Sequence, residues 1–178
     1  KKGDKDYFLD ELKLSMFSYD QFKFQQTYNK ILAEMSFREA FLDVFIPFLE
    51  IIGLQCLCDS ITASHEHFIT SLITQKLLIN IESAQSVRPD KGKVYVLFLP
   101  DDEIHELGLM YVNYELSRAG YQTIYLGPSV PVDNLESVIS CYPDVSFISY
   151  FTVSPTKSEV NTYLKEIDNK VLSKYNLN

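Results

Sequence analysis

The 178-residue sequence reads as an α/β chain in two parts, a four-helix bundle followed by a parallel-sheet domain. Apolar residues recur at helical spacing up to about Gln85. The run Ser86-Val87-Arg88-Pro89-Asp90-Lys91-Gly92 then breaks that pattern with a polar linker. After it, short apolar runs alternate with helical stretches, the signature of βαβ units.

Four helices account for the first part. A short one is expected around Tyr7 to Phe17. Phe24, Tyr28, Ile31, Leu32 and Met35 stripe a second, and Phe37, Phe41, Val44, Phe45, Phe48 and Ile52 a third. Ser18 and Ser36 stand where N-caps belong, and Pro47 inside the third pattern predicts a kink. The fourth, from about Ile61 to Ala84, carries two stripes, Ile61, Phe68, Leu72 and Ile79 beside Ile69, Ile73 and Leu77. A helix apolar on several sides is expected at the centre of its bundle.

Beyond the linker, strands are expected at Val94 to Leu99, Tyr121 to Leu126 and Val145 to Tyr150. Helices are expected at Ile104 to Ala119, Val132 to Ser140 and Lys157 to about Lys174. This alternation defines a Rossmann-like (flavodoxin-like) domain over 92–178, with the helical domain over 1–86. Such sheets bind ligands at the carboxyl ends of their strands, here the segments Pro100–His105, Gly127–Ser129 and Phe151–Pro155.

Composition narrows the function. With 16 basic against 24 acidic residues, net charge -8, the chain offers no basic face, so direct nucleic-acid binding has no electrostatic support. Cys56, Cys58 and Cys141 have neither zinc nor redox spacing and are expected to be reduced and mostly buried. No signal-peptide core or long uninterrupted apolar run is present, so a cytoplasmic, non-membrane protein is expected. Catalysis has little support: a Ser-His-Asp order, a Gly-rich phosphate loop and a paired-metal motif are all missing.

The chemistry concentrates in Glu103-Ile104-His105-Glu106-Leu107-Gly108, directly after the first strand. One imidazole nitrogen of His105 is free to bind a metal while the other donates to Glu103 or Asp102, which fixes the tautomer. Gly108 removes a side chain where something flat or bulky approaches the helix start. The cluster Asp101-Asp102-Glu103 reads as solvated loop charge rather than a cation site. His65 and His67, two apart on a helix, point about 200° from each other and cannot share an ion. Glu66 falls on the Ile69, Ile73, Leu77 side, either aimed at a ligand or paired within the bundle.

Glu-x-His-x-x-Gly after a first strand resembles the Asp/Glu-x-His-x-x-Gly signature of cobalamin-binding domains. Glu66-His67 in the fourth helix resembles the Glu-His pair in the helical cap of MerR-type, cobalamin-dependent transcriptional regulators. Ile124-Tyr125-Leu126-Gly127-Pro128-Ser129-Val130-Pro131 resembles their second strand and following loop. The resemblance implies a corrinoid held between cap and α/β domain, with His105 as lower ligand of cobalt and Glu103 as its orienter. It further implies Gly108 beside the ring, Glu66, His67 and Cys56 on the upper side, and Ser129 and Ser149 near the nucleotide tail. Cys56 and Leu57 stand where light-sensing members carry Trp and His, and the chain has no Trp.

The family's sheet has five strands with a late Gly-Gly turn, whereas three are legible here, so the sheet is expected to be incomplete at its C-terminus. A winged helix-turn-helix, through which the family meets DNA, is expected to lie outside this sequence. The resemblance implies a non-catalytic sensory module whose cofactor alters packing and homo-oligomerisation, the upper cobalt ligand being left open. Two alternatives stand beside it: a corrinoid carrier of a methyltransferase, and a cofactor-free dimerisation or protein-interaction domain.

Overall fold

The computed structural model describes residues 2–58, 60–142 and 144–175, excepting the side chains of residues 2–4 and 57. Contacts divide the chain into two compact units, Lys1–Lys76 and Leu77–Asn178.

The first unit is helical. Helix α1 spans Lys2–Ser18, α2 Gln21–Glu34, α3 Phe37–Ala40, α4 Ile46–Leu57, and α5 begins at Ala63 and runs to Gln85. The stripes read from sequence are largely buried: Phe24, Tyr28 and Ile31 on α2, and Phe37, Phe41, Val44, Phe45, Phe48 and Ile52 along the third rod. Tyr28 stacks between Phe24 and Phe45 at centroid distances of 6.4 and 6.2 Å, locking α2 to that rod. Ser36 caps α3 as expected, in a reciprocal capping box with Glu39.

Three local expectations change. Ser18 is no N-cap: α1 runs through it, its hydroxyl bonds back to the Leu14 carbonyl, and Asp20 caps α2 through the Lys23 amide. The break near Pro47 takes the form of a π-helical turn, Phe41–Phe45, just ahead of the proline, so the wider turn precedes the residue that lacks an N–H. Helix α5 is not covered all round: Ile69, Ile73 and Leu77 are fully buried, but Leu78 and Ile79 are 50% and 59% exposed. The cysteines depart too, because Cys58 caps α4 and Cys141 ends the short helix Glu136–Cys141, leaving both exposed, with Cys56 half-buried.

The second unit is a Rossmann-like three-stranded parallel sheet of order β2-β1-β3, formed by β1 Lys91–Phe98, β2 Tyr121–Gly127 and β3 Val145–Ile148. Helix α6 spans Leu107–Arg118 and α7 Glu136–Cys141, the latter preceded by a 3-10 turn. Helices α8 Val160–Ile167 and α9 Ser173–Tyr175 flank a second π-helical turn. Strand β1 is buried on both faces because its side chains alternate: Val94, Val96 and Phe98 join one core with Leu135, Ile139 and Val171, while Leu97 and Leu99 join another with Leu109 of α6. Since β1 lies between the other two, the chain passes first to one side of it and then to the other. That reversal puts the loops after β1 and β3 side by side.

The boundaries shift where side chains capture the backbone. Helix α6 begins at Leu107 rather than Ile104, and β3 ends at Ile148 rather than Tyr150, because the intervening residues serve the contacts described below. The last helix begins at Val160, after Thr156, whose amide and hydroxyl both donate to Glu159.

At the opposite end of the sheet, Gly120 turns the chain from α6 into β2 at φ 85°, and its carbonyl accepts the amides of Asp90 and Lys91 at 3.2 Å each. An L side chain is strained in that conformation. Gly120→Ala is therefore expected to destabilise the protein by about 1–2 kcal/mol. Urea or thermal melts measure this, and an unchanged midpoint would contradict the backbone argument.

Candidate functional site

The Glu103 carboxylate is the centre of the site. Its side chain has no exposed surface, although it leaves the loop after β1 among exposed Asp101 and Asp102. This corrects the expectation of solvated charge: the first two acids are in solvent, the third is enclosed. Oε2 accepts the backbone amides of Thr152, Val153 and Ser154 at 2.8, 2.7 and 3.2 Å, together with the Thr152 hydroxyl at 2.7 Å. Oε1 accepts the His105 amide at 3.1 Å and faces His105 Nδ1 at 2.7 Å. Burial by itself pushes the Glu103 pKa up. The Thr152 hydroxyl, the Val153 amide and the His105 donors outweigh that and hold it well below the usual carboxylate range.

The state of His105 follows. An ionised carboxylate accepts hydrogen bonds and donates none, so Nδ1 carries a proton, and in the neutral ring the lone pair is on Nε2. Thr152 Oγ1, 3.1 Å from Nδ1, closes the same corner. The imidazole is 56% exposed, and Nε2 has no hydrogen-bond partner among the described residues. A ring fixed at one nitrogen and open at the other is the arrangement of a metal ligand. Among the described residues there is no group of three His, Cys, Asp or Glu able to hold a bare ion.

Neighbouring elements brace the loop. Asp102 (φ 62°) and Ser129 (φ 52°) are both left-handed; the Ser129 hydroxyl accepts the Asp102 amide at 3.2 Å, and the Ser129 amide donates to the Glu103 carbonyl at 3.1 Å. Ser154 Oγ donates to the Asp101 carbonyl at 2.8 Å. Tyr125 donates to Glu106 Oε2 at 2.7 Å, and Tyr150 donates to the His105 carbonyl. Gly108 faces Tyr150. Ser149 Oγ is buried without a hydrogen-bond partner among the described residues and borders a cavity of about 370 Å³ lined by Phe98, Phe147, Phe151 and Leu164.

Sequence reading named Glu103, His105, Gly108, Ser129 and Ser149; Gly108 lies in the first turn of α6 and the other four on the loops or strand ends at the carboxyl edge of this sheet. It missed Thr152, Tyr150 and the Tyr125–Glu106 pair. Thr152-Val153-Ser154 carries a readable signal, three small or β-branched residues ahead of a proline at a strand end, with amides free to turn on an anion.

The other named residues belong to the first unit. Glu66 accepts the Thr70 hydroxyl at 2.8 Å and pairs with His67 at 2.7 Å; His67 is 79% exposed. Glu66 is therefore not an unpaired buried acid. His65 has its own partners, Thr62 at 2.8 Å and the stacked ring of Tyr19 at 4.8 Å, so the two histidines serve separate contacts. Cys56 is half-buried near the end of α4, and the Leu57 side chain lies outside the described residues.

The linkage of Glu103 to stability has a definite sign. Its pKa falls on folding, so its contribution is complete above the unfolded carboxylate value of about 4.3 and is lost as pH drops from there through the folded value. Glu103→Gln is expected to cost about 3 kcal/mol at pH 7, since a neutral amide cannot accept all these donors. The gap between wild type and variant should narrow steadily below about pH 4. Denaturant melts across pH test this, and a gap independent of pH would contradict the ionised, buried assignment.

Residues 8–79 match the family described as B12 binding domain. The chain is 27% identical over 143 residues to the HTH-type transcriptional repressor CarH of Myxococcus xanthus, covering 80% of this chain and 46% of that protein. To the repressor CarA of the same organism it is 30% identical over 114 residues, covering 63% and 37%. The chain thus spans less than half the length of these relatives. The Methanosarcina barkeri monomethylamine corrinoid protein shares the fold with a TM-score of 0.77 at 12% identity, over 96% of this chain and 81% of that one. The expected cobalamin cofactor agrees with the family match and with the corrinoid protein. None of these relatives is named for a catalytic activity. The chain is thus similar to the B12 binding domain family over residues 8–79, and similar at modest identity to the CarH and CarA repressors over 80% and 63% of its length.

Proposed function

We propose that this chain is the cobalamin-sensing part of a MerR-type transcriptional regulator, with no catalytic role, acting in the cytoplasm. The observation that carries the reading is the His105 imidazole, protonated on Nδ1 by its bond to buried Glu103 and open at Nε2. Lacking a three-donor cluster among the described residues, the site has no means of keeping a bare ion. Cobalamin would bring its own cobalt, and His105 Nε2 would be the protein nitrogen that holds it.

The residues present fit the rest of the cofactor. An orphaned Ser149 hydroxyl beside an apolar, aromatic-lined cavity suits a flat heteroaromatic base offering one hydrogen-bond acceptor, as the nucleotide tail does. His105 binds the metal, Glu103 holds its tautomer, Thr152 fixes Glu103, and Ser129 braces the loop. Glu66, His67 and Cys56 of the helical domain, taken as 1–86, are assigned to the upper side of the corrin, and the α/β domain as 92–178. No described helix is long and apolar enough to cross a membrane.

The regulator reading rests on the two repressors, 27% and 30% identical to this chain over the matched residues. DNA contact is assigned to a winged helix-turn-helix outside this sequence, because the chain's charge of -8 disfavours phosphate binding. Cobalamin shifts the homo-oligomer equilibrium only through different affinities for two packings of the domains.

Mixing the full-length protein with hydroxocobalamin is expected to give an imidazole-ligated visible spectrum, absent in His105→Ala, which still melts cooperatively although it has lost one bond to Glu103. An unchanged spectrum with wild type would sink the assignment. Size-exclusion chromatography with and without the cofactor separates the roles: a sensor changes its oligomeric state, whereas a carrier does not.

A further inference from the structure

Glu103 fixes the His105 ring, but a ring held at Nδ1 still swings with its own backbone. The aim of Nε2 therefore depends on what holds the His105 peptide. That peptide's carbonyl accepts the hydroxyl of Tyr150, which leaves the end of β3 and packs with the Leu97, Leu99, Leu109 core. The same hydroxyl occupies the space above Gly108: a Cβ built there would lie 3.2 Å from Tyr150 Oη, with the ring carbons Cζ and Cε1 at 3.5 and 3.6 Å. Tyr125 holds the adjoining residue, Glu106, from the β2 side.

We propose that Tyr150 is a positioning residue for His105, and that Gly108 lacks a side chain because the Tyr150 hydroxyl fills that space on its way to the His105 carbonyl. The functional half of this rests on the cobalamin reading; the contact itself does not. A methyl group at 108 forces the hydroxyl to give by a few tenths of an ångström, because 3.2 Å is tighter than ordinary packing. Phenylalanine at 150 keeps the ring and removes the atom that clashes, along with the hydrogen bond.

The test uses Y150F, G108A and the double variant in the full-length protein. In the apo form, G108A is expected to lower the melting midpoint in the wild-type background. In the Y150F background it should leave the midpoint unchanged or raise it, since alanine is the better helix former in the first turn of α6. With hydroxocobalamin, Y150F is expected to lower the ratio of imidazole-ligated to unligated cofactor about fivefold to tenfold, the effect of one lost hydrogen bond. Equal effects of G108A in the two backgrounds would overturn the proposal, as would an unaltered ligation ratio in Y150F. A wild-type protein with no imidazole-ligated spectrum overturns the cofactor reading alone, and the apo cycle still decides whether Tyr150 holds this loop.

Discussion

The structure of the carboxyl edge of the sheet depends on one enclosed anion. Glu103 has no contact with solvent, and an isolated carboxylate in that position would be neutral or would unfold its surroundings. It stays ionised because the chain folds a second loop around it: three successive amides and a hydroxyl from residues 152–154 converge on Oε2. The loop after β3 is shaped by the need to satisfy that charge, and the loop after β1 by the need to deliver it. Neither conformation has a reason to exist without the other.

The topology makes this exchange available. In the order β2-β1-β3, β1 is central and its carboxyl end is flanked by the ends of both neighbours. Residues from β3's loop reach Glu103, and Ser129, beyond β2, reaches the Asp102 amide and the Glu103 carbonyl. A loop braced from both sides by packed strands presents its histidine more reproducibly than a free loop would. The two aromatic donors, Tyr125 on β2 and Tyr150 after β3, extend the same logic from side chain to backbone.

The fold was legible where periodicity is strong. The unbroken apolar run from Val94 to Leu99 marked the central strand, and the stripe from Phe37 to Ile52 marked its rod, because each pattern reports burial directly. Element ends were less legible, since they are decided by individual hydrogen bonds. Ile104 to Glu106 have helical neighbours yet remain in the loop because Glu103 claims the His105 amide. Ser18 has the chemistry of a cap, but Asp20, two residues on, has it as well. In the site, Glu103 and His105 were visible as a motif of fixed spacing. Thr152 and Tyr150, 47 and 45 residues from His105, meet it only through strand order, which spacing cannot encode. The solvated reading of Asp101-Asp102-Glu103 failed for the same reason: three adjacent acids look alike until one finds donors from another loop.

Stability alone does not explain the carboxylate. A buried charge with good partners is commonly no better for folding than an apolar residue of the same volume, because desolvation offsets most of what the partners return. An apolar replacement would leave the amides of 152–154 to rearrange toward water at the loop surface, a modest cost. What no apolar side chain supplies is an acceptor that is always ionised beside Nδ1. That property selects, among the neutral tautomers, the one with its proton on Nδ1 and its lone pair on Nε2. On the proposed cobalamin reading, the enclosure of Glu103 is therefore better understood as orientation of His105 for ligation. A ligand already held in the correct tautomer and direction loses less freedom on coordination, so more of the metal–nitrogen interaction remains as affinity.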